Sequence, residues 1–333
     1  MIKNKKGFDM PFSWIFAVIA GAVIILIAIY ATTSIVRTGK EAYYSQAAMQ
    51  IANYLNPVVN GVTSAFATKI DFKKNTRIYL TCQTFSSKSP YFGREAISFS
   101  EESGLLQKWT LPGAEIGRYN KYIFSDNVTE GKTLYIFSKP FYAGFRVDDL
   151  VMISMDKYCF VGTPETVKNE IVLLAPYNIN LSANVKFCDA NSKKVCFGFD
   201  DKNCDMFVSA SCTQDECLHE YETGYVYKED RRMDYYGNLM YAAIFSSPDI
   251  YECNLARLGK KILELSEIYN GKIEIVKEKG CDSLIGVYMN AMTGYSANLN
   301  SQNIRKIWEE SKLMDEVNCR SKCEIYTPAP EAC

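Results

Sequence analysis

The sequence predicts an α+β protein: an N-terminal transmembrane helix continuing as a stalk, then a disulfide-stapled β-rich domain, then a C-terminal three-helix unit. Three observations carry that expectation. One uncharged apolar stretch lies near the amino terminus, all 12 cysteines fall beyond residue 81, and the hydrophobic period runs from helical to alternating and back to helical. With 37 Lys plus Arg against 38 Asp plus Glu, the net charge of −1 excludes a strongly basic nucleic-acid binder. A 48% hydrophobic content supplies enough apolar surface to offset the entropy of ordering the chain.

Residues 1–9 form a short tail in which Lys3, Lys5 and Lys6 crowd the approach to the apolar stretch. Residues 10–36 carry no charge, and a helix of that length rises about 40 Å at 1.5 Å per residue. A hydrocarbon core of about 30 Å is within its reach. Tyr30, Thr32 and Thr33 follow the purely apolar part with no small-x-small cleavage site, so the segment reads as an uncleaved anchor rather than a secretory signal. Trp14 and Tyr30 stand near its ends, where amphipathic rings favour the membrane interface. The lysines ahead of the span outweigh Arg37 and Lys40 behind it, which places the amino end in the cytoplasm and the remainder outside.

The cysteines give the same compartment by a separate route. Cys82, Cys159, Cys188, Cys196, Cys204, Cys212, Cys217, Cys253, Cys281, Cys319, Cys323 and Cys333 are even in number and confined to the exported part, as in a disulfide framework. Zinc knuckles would need paired CxxC or Cys/His clusters, which the sequence lacks, so neither a metal nor a cofactor is expected.

Residues 37–70 are assigned to the stalk. From Lys40 to Ala67, Ala47, Ile51, Leu55, Val58 and Val62 recur at helical spacing, and Pro57 predicts a kink or break near Asn56. Residues 71–232 form the β-rich domain, with alternating runs such as RIYLTCQTF, AISFS, KYIFSD, TLYIFSKPF, YCFVG, ANVKFC, KVCFGF, MFVSAS and YVYKE between turn residues. One helix interrupts them at Glu165 to Leu174, with Thr163 as cap and Pro164 in the first turn. Lys186 to Phe199 is expected to be a hairpin with a cysteine on each arm. Residues 233–333 form the helical unit: an apolar seam at Leu255, Leu258, Ile262, Leu265 and Tyr269, then helices near Asp282–Met292 and Gln302–Val317, the last capped by Ser301. Alternating helix directions would bring Cys281 near Cys319 or Cys323, and Cys333 would pin a tail that Pro328 and Pro330 keep non-helical.

The opening KKGFDMPFSWIFAVIAGAVIILIAIY, with KYIFSD, IFSKPF and IYECNL further on, resembles uncharacterised single-pass membrane proteins of small-genome archaea. That resemblance implies location and topology and transfers no functional residue. The leader is also similar to those of archaeal type IV pilins, in which a basic residue and Gly, here Lys6-Gly7, precede the cleavage point. Asp9, Pro11 and Phe12 depart from the pilin pattern.

Chemistry is sparse. His219, in ECLHEYE, is the single histidine, and Cys217 beside it is expected to be bridged rather than nucleophilic. No phosphate-cradling glycine loop is present. The pairs Glu101-Glu102, Asp148-Asp149, Asp200-Asp201 and Glu309-Glu310 are adjacent and so face different ways; glycoside hydrolysis would need two carboxylates converging in a cleft. Asp200, Asp201, Asn203 and Asp205 do not follow a calcium-loop spacing. Tyr221, Tyr225, Tyr227, Tyr235 and Tyr236 suit strand packing, with a sugar or protein contact surface as the alternative. Asn127 and Asn180 head glycosylation sequons.

The expectation is therefore a membrane-anchored extracytoplasmic surface protein with a structural, adhesive or binding role rather than an enzyme. The alternatives are a pilin-like filament subunit and a cell-envelope hydrolase using paired carboxylates. Its expected partners are the lipid bilayer, a second copy through the stalk and the span, where Ala17 and Gly21 make a small-xxx-small step, and a glycan or protein ligand; no nucleic acid is expected.

Overall fold

The computed structural model describes residues 14–33, 65–84, 92–103, 108–199, 201–210, 222–280, 284–320 and 324–329. Helix α1, Trp14–Thr33, has a mean hydropathy of 2.7, and none of it is buried against the rest of the chain. Most of the expected stalk lies outside the described residues. Its end does not: residues 66–70 already belong to strand β1, Phe66–Gln83, because Ile70, Phe72, Ile78 and Leu80 alternate toward one face.

Two sheets follow. The first has the order β3-β2-β1-β6-β7-β5, with β4 also paired to β2. Its strands are β1, β2 (Arg94–Ser103), β3 (Lys108–Trp109), β4 (Ile116–Arg118), β5 (Tyr122–Phe124), β6 (Val128–Ala143) and β7 (Phe145–Ser154). Strands β5 to β7 are apolar on both faces: Tyr122, Phe137, Leu150 and Met152 turn to one core, Ile123, Leu134, Ile136, Val151 and Ile153 to another. A strand buried twice reads as a continuous apolar run, which is why FRVDDLVMIS gives no clean alternation.

The second sheet has the order β13-β12-β11-β10-β8-β9: β8 (Tyr158–Val161), β9 (Ile179–Ser182), β10 (Lys193–Phe197), β11 (Met206–Ala210), β12 (Thr223–Lys228) and β13 (Arg231–Tyr236). Helix α2, Glu165–Leu174, falls where its sequence predicts and forms the crossover between parallel strands β8 and β9. Its cap differs from expectation. Pro164 occupies the cap position with no side-chain bond, and the Thr163 hydroxyl is buried without a partner among the described residues.

The expected hairpin over Lys186–Phe199 is overturned. Val185–Phe187 is a 3-10 turn, and β10 pairs in parallel with β8 and β11, so no strand precedes it to fold back on. The cysteines pair accordingly. Cys159 of β8 bonds Cys188 and Cys196 of β10 bonds Cys204, each tying a strand to a neighbouring loop instead of joining two hairpin arms.

Helix α3, Leu239–Phe245, has every residue buried. It lies between the sheets, with Phe245 4.9 Å from the Phe137 ring and 4.3 Å from the Tyr158 ring, so it is apolar all round and carries no periodic signal. Helices α4 (Pro248–Glu278), α5 (Ile285–Ser296) and α6 (Ile304–Arg320) follow, matching the three expected helices with shifted limits. Ser301 does not cap α6: its hydroxyl bonds Glu252, while the Asn300 side chain accepts from the amides of Gln302 and Asn303 at 2.9 and 3.2 Å. The β and helical parts share one core, in which Leu255, Leu258 and Ile262 of α4 pack with residues of both sheets. Tyr326 is buried against Phe145, and Pro328 bridges to Phe145, so residues 324–329 are laid on the body.

Candidate functional site

A buried ionic cluster lies where the first sheet curls back on itself. Strand β5 has backbone pairing only with β7, yet it also approaches β2 at the opposite end of the sheet. Side chains close that seam. Both Glu95 carboxylate oxygens, from β2, accept from the Ile123 amide of β5 at 2.9 and 3.0 Å, and Asn254 of α4 donates to the Ile123 carbonyl at 2.8 Å. The two backbone groups that an absent neighbouring strand would satisfy are thus satisfied by side chains.

Arg257, one turn after Asn254, completes the seam. Its guanidinium lies 3.1 Å from Glu95, donates to Asn254 at 2.6 Å, and reaches the carbonyls of Phe92 at 2.9 Å and Tyr119 at 2.6 Å. Glu95 and Arg257 side chains are both fully buried. Gly93 permits the approach: a Cβ there would stand 3.0 Å from Arg257 Cγ and 2.4 Å from the Gln83 carbonyl, at a φ of +76°. The disulfide Cys82–Cys253 covers the same place, since Cys82 is the ladder partner of Glu95 and Cys253 precedes Asn254. Burial pushes the Glu95 carboxyl up to about 7, against the opposing pull of Arg257, the Ile123 amide and Asn254.

A second ionic joint ties the two sheets. Asp126, in the β5–β6 link, receives Lys193 of β10 at 2.7 Å and Lys228 of β12 at 2.8 Å. Lys193 also meets Asp156 at 2.7 Å, and Lys228 donates to the Ser246 carbonyl at 3.0 Å. Burial acts to raise Asp126, but Lys228 and Lys193 together outweigh it and hold the carboxyl below its ordinary value.

Both charged side chains of the Glu95 seam are closed off from solvent. The polar atoms of Glu95, Asn254 and Arg257 are spent on protein partners. Of the carboxylate pairs read from the sequence, the members with described partners are engaged separately. Glu101 faces Lys74 and Glu102 accepts from Asn75; Asp148 meets Lys261 while Asp149 takes Arg146; Glu309 meets Lys306. Asp201 accepts from the Asn203 amide two residues on, which makes it a turn-forming group, and Asp205 accepts from the Lys194 amide of β10. Among the described residues no cluster of three or more metal-ligating side chains occurs. A shallow, open hollow lined by Arg231, Glu252, Asn300, Ser301 and Gln302 has its carboxylate committed to Ser301.

Of the cysteines, Cys82, Cys159, Cys188, Cys196, Cys204 and Cys253 form the three bridges named above, Cys319 is also disulfide-bonded, and no described cysteine is free. Cys212, Cys217, Cys281, Cys323 and Cys333 lie outside the described residues, as do His219, Tyr221 and Asp200, so the expected link from Cys281 to Cys319 or Cys323 falls there too. Tyr235 and Tyr236 are core residues, whereas Tyr225 stacks under Arg232 at 4.2 Å on the outer face. Asn127 is exposed with its side-chain oxygen taken by Ser247, and Asn180 is exposed on edge strand β9.

Sequence reasoning missed Glu95, Asn254, Arg257, Asp126, Lys193 and Lys228. One signal was present: Asn254 and Arg257 share the face of α4 that buries Ile250, Leu258 and Ile262, and polar residues on an apolar stripe need buried partners. No family model matches the chain, and neither a curated protein nor a solved structure matches it.

Proposed function

We propose that the chain is a single-pass membrane protein with a cytoplasmic amino end and an extracytoplasmic body that acts by binding or by forming surface structure. The observation that carries this reading is the pairing of an unburied 20-residue apolar helix with a body whose described cysteines are all bridged. Lys3, Lys5 and Lys6 support the orientation. A binding or structural role is favoured over hydrolysis because the buried carboxylates Glu95 and Asp149 and the partly buried Asp148 are each committed to a cation of the protein. The leader's resemblance to archaeal single-pass membrane proteins supports the location alone. Candidate partners are a glycan or protein ligand and a second copy through α1 and the residues after it.

Membrane fractionation tests the anchor. The full chain is expected to resist alkaline carbonate extraction, and a variant lacking residues 10–36 to be released. Carbonate extraction of the intact chain would contradict the anchor. An intact mass lacking the residues before Phe8 would replace it with pilin-type processing.

A further inference from the structure

Helix α2 buries Val167 and Ile171 in the shared core, and its exposed side changes character along its length. The first turns expose Glu165, Thr166, Lys168 and Asn169; the end exposes Val172 and Leu173, at 66% and 88%, followed by Tyr177 at 61%. From Ile171 to Val185 the chain holds no charged residue. Core packing does not account for these three side chains, since each points away from it. The tip also has a definite place in the fold. Lys69 of β1 stands 5.7 Å from the Tyr177 ring centroid, so the tip sits beside the start of β1 at Phe66, where the chain coming from α1 enters the body.

Resting on the reading of α1 as an anchor, we propose that Val172, Leu173 and Tyr177 form a wedge that dips into the lipid interface of the membrane crossed by α1. Two apolar side chains at the apex, with a tyrosine and a lysine behind them, match the order of chemistries across that interface: hydrocarbon, then ring, then ammonium. A second protein copy fits less well. A stable dimer buries about 800 Å² per partner, which three side chains on one helix tip do not supply. Insertion into lipid needs no such area, because the same chain carries α1 and so makes the contact intramolecular with the anchored membrane.

The test uses the full chain in phosphatidylcholine–phosphatidylglycerol vesicles, with the photoreactive residue benzoylphenylalanine placed singly at Ile24, Leu173, Asn169 or Tyr177. All four positions are exposed, so the bulky group meets no core neighbour. Lipid adducts are expected at Ile24 and Leu173, with Leu173 several-fold above Asn169, and to fall at Tyr177→benzoylphenylalanine when Val172 and Leu173 are both changed to serine. Adducts at Ile24 but not Leu173, or equal yields at Leu173 and Asn169, would overturn the wedge and leave the anchor standing. A protein adduct at Leu173 would assign the tip to a second copy instead. Lipid adducts at neither Ile24 nor Leu173 would remove the anchor reading and the wedge with it.

Discussion

The seam at Glu95 and the joint at Asp126 both bury a carboxylate beside cations, yet the two carboxyls move in opposite directions. Glu95 has one cation, Arg257, which divides its donors among Glu95, Asn254 and two backbone carbonyls, and burial wins. Asp126 has two ammonium groups on its two oxygens and keeps some solvent contact, and the cations win. The number of counter-charges committed to a carboxylate, set against its desolvation, decides the sign.

The largest expected effect is at the seam. Arg257→Met leaves Glu95 buried without a cation and strips the carbonyls of Phe92 and Tyr119 of their donor, and should cost about 3–5 kcal/mol in chemical unfolding of the full chain. A loss under about 1 kcal/mol would mean that the disulfide alone closes the sheet. Replacing Cys82 and Cys253 together by alanine removes a link between residues 171 apart, expected to cost about 2–5 kcal/mol, and should increase amide exchange first at Ile123. Exchange changes confined to other strands would separate the bridge from the seam.

A pH series separates the two joints by sign. Because the folded Glu95 carboxyl lies above its unfolded value of about 4.3, its contribution falls as pH rises from there through about 7. The unfolding midpoint of the parent relative to Glu95→Gln should therefore drop across that window. The carboxyl of Asp126 is depressed, so its contribution is fully present above an unfolded value of about 3.9 and is lost only as pH falls through its lower folded value. The midpoint relative to Asp126→Asn should hence stay flat between about pH 5 and 8. Matching slopes for the two variants would break the contrast. The smallest effect is expected at Lys228→Met: Lys193 still neutralises Asp126, so the loss should be about 1–2 kcal/mol, below that at Arg257.

How much of this was legible follows from how local each cause is. Helix α2 was legible to its limits because Pro164 and an apolar face at Val167 and Ile171 act within ten residues. The seam of α4 was legible from its spacing. Parallel pairing of β8 with β10 was not, since the two strands are separated by more than 30 residues of intervening chain and the cysteine on each bonds a loop rather than the other strand. Helix α3 was invisible because full burial erases periodicity. The Glu95 seam was half legible: Asn254 and Arg257 advertise buried partners, but their partner in β2 is more than 150 residues away and no local pattern names it.

In the proposed arrangement one apolar helix holds a disulfide-closed body on the outer side of a membrane. Protease added to intact cells tests it most directly, followed by mass analysis of what remains. The account predicts that the body is digested once its bridges are reduced and that a fragment of about 4 kDa containing residues 14–33 stays protected by the bilayer. A carboxyl-terminal body that survives on intact cells and is digested only after lysis would contradict it.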